Sequence, residues 1–365
     1  MKIGILTIFR TGNYGGMLQA FALREAIREN GFGEADIINY CADALKGKID
    51  FKFLKKAGLF RTGVAVVEKL YYHPRQKKAR AFSDSFATER ELKKEELAAL
   101  NDAYDIFLSG SDQIWNPQLQ QGDYAYLLDF VTDKKKKRSY ASSFGVKTLP
   151  PEYVEDYRRL LSDYHTLTVR ETAGAALVKA LIGKEVPTVL DPTLLLTPDQ
   201  WKAVLAEKKT EKNSIFVYQM AHSALLAKAA AKARKALGGG VIFLPFPIGG
   251  MCRCKPVLNY SPAEWLRAIH DAPVVLTDSF HGTVFSILFS RPFYYVITSE
   301  TVRARISRVE TLLSTLGLSD RIVDNVEDMD FSKPIDYTAV HEKLAAERET
   351  SLAILKELCH DDSEG

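Results

Sequence analysis

The sequence predicts an α/β protein built from two Rossmann-like domains that face each other across a cleft. Short apolar runs of strand length alternate with amphipathic helical runs, the pattern of parallel sheets covered by helices. That alternation occurs twice, on either side of the proline-marked segment EVPTVLDPTLLLTPDQ (185–200). The chain's 365 residues also match the usual length of about two domains. The expected division is 1–190, with a basic helical excursion over about 46–100, and 191–365, ending in a helix that packs back on the first domain.

The first series opens with KIGILTI as a strand, RTGNYGG as a turn and MLQAFALREAIREN as a helix ending before Gly31. ADIINY, YDIFLSG, RSYASSFG and HTLTVRE follow as short, partly β-branched strands. PPEYVEDYRRLLSDY and ETAGAALVKALIG are the intervening helices, the second closed by Gly183. Lys134–Arg138 reads as a solvated turn. In the second series NSIFVYQ, VIFLPFP, APVVLT and PFYYVIT are strands. ALLAKAAAKARKALG, SPAEWLRAIHDA and HGTVFSILFS are helices, with Ser261 as an N-cap and Pro262 at the first position. A long amphipathic helix over about Tyr337–Cys359 ends the pattern.

Composition narrows the class. Apolar residues are 46% and charged residues 26%, and four cysteines are too few for a disulfide scaffold, so the expected compartment is a reducing cytoplasm. No apolar stretch approaches a membrane span, and the first run reads as a strand rather than a signal peptide. Charge is uneven. Residues 46–80 hold eleven Lys/Arg against Asp50 and Glu68, a local charge of +9 in a chain of +3. Apolar residues are interleaved there, so the stretch either packs on its domain with solvated lysines or lies on an anionic membrane surface. No nucleic-acid motif accompanies it, and no nucleic-acid partner is expected.

The chemistry-bearing residues fall where strands end. Thr277-Asp278-Ser279-Phe280-His281-Gly282 follows APVVLT, at the edge where open α/β sheets place ligands. Ser279 or Asp278 would cap the next helix, and free N–H groups near His281–Thr283 would form an anion site. A helix N-terminus disfavours imidazolium, so an acid role for His281 calls for a carboxylate such as Asp278. Gly110-Ser111-Asp112 repeats the logic after YDIFLSG, with Asp112 as a candidate base or a simple cap. Trp115 reads as core. The turn at Asn13 and Gly15 resembles a phosphate cradle but lacks both the GxGxxG spacing and a Walker lysine. Arg170, and Arg305 and Arg308 on one helix face, suit a small multivalent anion. Cys252 and Cys254 read as ordinary loop cysteines, and no metal site or cofactor is expected.

Taken together, GNYGGMLQAFAL, LSGSDQIWNP, YASSFG, VRE, LDPTLLL and DSFHGTVFSILFSRPF resemble the polysaccharide pyruvyl transferase family, from about Gly12 to Arg321. The resemblance implies a GT-B-like arrangement of the two domains. It also implies transfer of the enolpyruvyl-derived group of phosphoenolpyruvate to two hydroxyls of a sugar or lipid-linked glycan acceptor, giving a pyruvate ketal. Asp112, Arg170 and His281 match the family's acidic, basic and histidine positions. His281 would be the general acid and Asp112 the base. Arg170, Arg305 and Arg308 would hold phosphate and carboxylate, aided by the turn at Ser279 and Gly282.

One position departs from the pattern. Active members often carry an arginine two residues before the histidine, and Ser279 stands there. Either Arg305 or Arg308 supplies the charge, or another donor is used, or the reaction is absent. A nucleotide-sugar glycosyltransferase would instead need a nucleotide-shaped slot in the second domain. A non-catalytic glycan- or lipid-binding protein would show Asp112 or His281 buried away from solvent.

Overall fold

The computed structural model describes residues 1–45, 74–221, 223–245, 257 and 259–360. Two all-parallel sheets organise the chain. The first has strand order β2-β1-β3-β4, with β1 Lys2–Leu6, β2 Glu34–Ile37, β3 Ile106–Ser109 and β4 Lys137–Ser139. The second has order β6-β5-β7-β8-β9, with β5 Ser214–Gln219, β6 Gly240–Pro245, β7 Val275–Thr277, β8 Phe293–Val296 and β9 Ile322–Val323. Parallel strands covered on both faces read as continuous apolar runs, which is why β3, β5, β7 and β8 are buried along their whole length.

The helices used below are α1 Tyr14–Glu29, α2 Val154–Ser162, α3 Thr172–Ile182, α4 Leu225–Leu237, α5 Pro262–Asp271, α6 Phe280–Leu288, α7 Ser307–Leu316 and α8 Tyr337–Leu358. Their ends follow local chemistry. Asn13 caps α1 by accepting from the Gly15 N–H at 3.0 Å. Ser261 and Glu264 form a reciprocal capping box on α5, with Pro262 at its first position. Gly183 closes α3 at φ 72°, a left-handed conformation that a side chain disfavours. All nine residues of α6 are buried, so its HGTVFSIL sequence has no solvent face to serve.

Two local readings change. HTLTVRE is not a full strand: Thr166 and Val169 make only single bridges, to Arg138, Ser142 and Thr188. Lys134–Lys136 is a short 3-10 turn, but Lys137 and Arg138 belong to β4 and are buried. They are therefore not part of a solvated turn. Most of the basic stretch, and Cys252 and Cys254 with it, lies outside the described residues. Its described end, residues 74–84, is helical and buries one cation, Arg75, while Lys77 and Arg80 stay exposed. The Arg75 guanidinium lies 4.4 Å from the Tyr14 ring and donates to the Pro245 carbonyl at 3.2 Å. Among the described residues no helix is long and apolar enough to cross a membrane.

The two sheets meet along a seam that is partly aromatic. Tyr14 packs 5.6 Å from Trp265 and donates its hydroxyl to the Tyr260 carbonyl at 2.5 Å. Trp265 in turn meets Tyr218 at 5.2 Å. α8 follows β9 in sequence yet ends against the first sheet. There Arg138 on β4 donates to the Glu357 and Leu358 carbonyls at 3.3 and 2.9 Å. Midway, the Ser351 hydroxyl accepts from the Leu190 N–H at 3.1 Å.

Candidate active site

The carboxyl edges of both sheets point into this seam, and five charged or titratable side chains meet there. Asp112 arrives on the turn after β3. Its φ of 56° is left-handed, a region Asp tolerates better than most residues. The turn is held from α1, where the Gln19 side-chain oxygen accepts from the Ser111 N–H at 3.0 Å. Arg170 precedes α3, Asp191 lies in the segment joining the two sheets, His281 is the second residue of α6, and Arg308 is the second residue of α7.

Arg170 is the hub. Its guanidinium reaches Asp112 Oδ1 at 3.0 Å and Asp191 Oδ2 at 2.5 Å, and lies 4.7 Å from the Phe280 ring. Arg308 crosses the seam to the same Asp112 oxygen at 3.3 Å and shares the Phe280 ring at 5.7 Å. His281 Nε2 is 3.6 Å from Asp191 Oδ2. Behind the cluster, Glu171 accepts from the Ser143 hydroxyl at 2.8 Å and the Phe144 N–H at 3.2 Å.

Burial and charge oppose each other here. Burial disfavours ionised Asp112, but the charges of Arg170, His281 and Arg308 outweigh it and hold the carboxyl below its usual range. Asp191 is held well below for the same reasons, through His281 and Arg170. Burial and the neighbouring Arg170 charge lower the Arg308 pKa. One carboxylate oxygen therefore serves two guanidiniums, and the Nε atoms of both Arg170 and Arg308 are buried without a hydrogen-bond partner. A cavity of about 160 Å³ adjoins them, lined by Arg170, Asp191, Phe280, Arg308 and Thr311 among others.

Other sequence candidates take different places. Ser279 caps α6 and its hydroxyl accepts the Gly282 N–H at 3.3 Å, so that N–H is not a free anion donor. The Thr283 N–H is likewise taken, by the Ser279 carbonyl. Asn13 is occupied in capping α1. Gly15 matters through its missing side chain, because a Cβ there would lie 2.0 Å from His281 Nδ1. Asp278 turns away from His281 and accepts from the Met220 and Ala221 N–H groups at 2.5 and 2.9 Å and from Thr298 at 2.9 Å. Arg305 lies in the turn after the short helix Glu300–Ala304, not on one helix face with Arg308. Trp115 is fully buried.

The carboxylate beside His281 is thus Asp191, which the pattern alone left inside a hinge. Its signal was the Asp-Pro-Thr turn: Asp191 caps Pro192–Leu194 through its Oδ1, leaving Oδ2 for the seam. Among the described residues no group of three or more His, Cys, Asp or Glu is placed to hold a metal ion.

The sequence model of the polysaccharide pyruvyl transferase family matches residues 13–300, well over half of the chain and every member of this cluster except Arg308. The chain belongs to the polysaccharide pyruvyl transferase family. No curated protein matches it in sequence. Among solved structures, a putative UDP-N-acetylglucosamine 2-epimerase from Listeria monocytogenes aligns at TM-score 0.51 and 11% identity, over 95% of this chain and 91% of that one. The S. aureus MnaA–UDP co-structure aligns at TM-score 0.50 and 10% identity, over 98% and 90%. At such identity the likeness is one of fold: this pyruvyl transferase family member has the two-domain, Rossmann-like GT-B architecture.

Proposed function

We propose that this family member moves the enolpyruvyl-derived group of phosphoenolpyruvate onto two hydroxyls of a cell-surface polysaccharide or its precursor, forming a pyruvate ketal. The observation that supports this reading is the meeting of His281 with two under-supplied guanidiniums at the facing edges of two parallel sheets. An incoming dianion or trianion takes the forked donors of Arg170 and Arg308. Arg308 then provides the charge that Ser279 cannot.

His281 protonates the enol methylene, leaving an oxocarbenium-like carbon that still bears phosphate. A sugar hydroxyl attacks that carbon and gives its proton to Asp112. The carbon–oxygen bond to phosphate breaks, the leaving phosphate taking the proton from Asp112, and a second hydroxyl closes the ketal, its proton returning to His281. Asp112 is a weak base while two arginines hold it, as its lowered pKa records. Donor binding draws those arginines away and restores its basicity. Positioned acid–base groups of this kind contribute about 10²–10⁴-fold each.

Acceptor-dependent phosphate release from phosphoenolpyruvate, lost in His281→Ala, is the test. A second reading is favoured by burial: Asp112 and His281 are only 7% and 4% exposed. On that reading the chain binds glycan without turnover. Glycan binding with no phosphate release, and no calorimetric binding of phosphoenolpyruvate, would decide for it.

A further inference from the structure

His281 stands at the second position of α6, where the partial positive charge of a helix N-terminus opposes an imidazolium. A proton donor there needs a negative charge close by and a wall that fixes its ring. Both come from outside α6. On one side the ring presses on α1, at a residue where any Cβ would fall 2.0 Å from Nδ1. On the other side Asp191 Oδ2 lies 3.6 Å from Nε2, close enough for ion pairing but too far for a hydrogen bond. Nε2 itself is buried and has no hydrogen-bond partner.

Among the described residues, Asp112 and Asp191 act on the ring, Arg170 and Arg308 pair with those carboxylates, and Glu171 and Tyr140 lie against Arg170 and Asp191. Asp112 offers its Oδ1 to Arg170 and Arg308. Glu171 is engaged with Ser143 and Phe144, and Tyr140 donates to the Leu190 carbonyl. Asp191 is clamped differently. Its Oδ1 accepts from the Thr193 N–H at 3.0 Å and the Thr193 hydroxyl at 2.6 Å, and its Oδ2 from Arg170 at 2.5 Å. These bonds hold the carboxylate in place, and Asp191 is among the residues that line the cavity of about 160 Å³.

We propose that Asp191 is the positioning residue for His281: from the segment joining the two sheets, its clamped carboxylate faces Nε2 and fixes the imidazole at the seam, beside the Arg170–Asp112 pair. The gap of 3.6 Å attracts the proton without sequestering it, so the hydrogen stays available to a substrate atom. Such contacts are often long before substrate arrives and tighten in the complex. The reaction served rests on the transfer reading above, whereas the Asp191–His281 coupling does not.

The test uses Asp191→Asn, Thr193→Val and His281→Gln in the full chain. In isotope-labelled protein without substrate, the His281 imidazole signal is assigned by its loss in His281→Gln. That signal is expected to lose its proton at lower pH in Asp191→Asn than in wild type. In turnover, the basic limb of the pH–rate profile moves to lower pH and kcat falls by about 10²-fold or more, while donor affinity changes far less. Thr193→Val loosens the same carboxylate without altering any charge. It shifts both readouts in the same direction by less, and it decides the matter should Asp191→Asn fail to fold. An unmoved imidazole titration and pH profile overturn the proposal, as does a loss of donor binding as large as the loss of kcat. If no acceptor supports turnover, the imidazole titration still decides the role of Asp191, and only the transfer reading falls.

Discussion

Asp112 and Asp278 occupy equivalent places, each on the turn where a buried parallel strand meets the seam, yet their surroundings drive them apart. Asp112 faces two guanidiniums from opposite sheets and is held below the usual carboxylate range. Among the described residues Asp278 makes no ion pair with a guanidinium. Burial pushes its pKa up to about 6, even though two backbone N–H groups and Thr298 favour its ionised form. The first carboxylate joins the two domains, and the second ties β7 to the turn after β5. Position after a strand selects the edge where ligands bind. The partner's charge then decides whether the group belongs to chemistry or to scaffold.

Asp112→Asn should separate the two most sharply. It leaves Arg308 without its carboxylate and Arg170 with one fewer, and removing one partner of a buried pair costs about 3–5 kcal/mol. A fall of that size in urea unfolding, together with loss of phosphate release, is the expected result. A variant as stable as wild type would show that the arginines do not depend on Asp112. Gly15→Ala tests the histidine side of the same seam. The new methyl group must displace His281, so activity should drop by about 10²–10⁴-fold with a much smaller change in thermal midpoint. Full activity in this variant would mean that the ring need not sit where α1 admits it.

Asp278→Asn probes the scaffold carboxylate through pH. A carboxyl raised from 3.8 to about 6 in the folded state binds more protons folded than unfolded. Wild-type stability therefore falls as pH rises from about 4 to about 6, by roughly 3 kcal/mol relative to the Asn variant, which lacks this titration. Parallel stability curves for the two proteins across that window would contradict the environment described for Asp278. The smallest effect belongs to Arg305→Ala, expected within about 0.5 kcal/mol of wild type in stability. Its donor affinity should be unchanged, whereas Arg308→Ala should weaken phosphoenolpyruvate binding about tenfold or more. Equal losses in the two variants would place Arg305 in the site after all.

Much of the architecture is legible in the chain because local chemistry and global fold agree. Ser261-Pro262 with Glu264 marks the start of α5, Gly183 marks the end of α3, and the run around β7 is too short and too apolar for anything but a covered strand. The membership of the site is less legible. Asp112, Arg170, His281 and Arg308 are brought together, but they come from four separate turns, and only the ordered motifs of the family point to three of them jointly. Asp278 misled because adjacency in sequence favoured it over Asp191, 90 positions away. Arg305 misled because a three-residue spacing implies a shared face only if one helix spans it, and the helix breaks at that residue. Asp191 was hidden by its prolines, which announce a hinge and say nothing of what the hinge carries.

The course of α8 has a mechanical consequence. The two sheets are joined once by the segment around Asp191 and again where the far end of α8 is gripped by Arg138 on β4. A body attached to another at two separated points keeps one easy rotation, about the line through them, and loses the twisting that a single tether would allow. Any parting of the two sheets about those points must break the Arg308–Asp112 contact together with the bonds of Tyr14 and Arg75 to the second half.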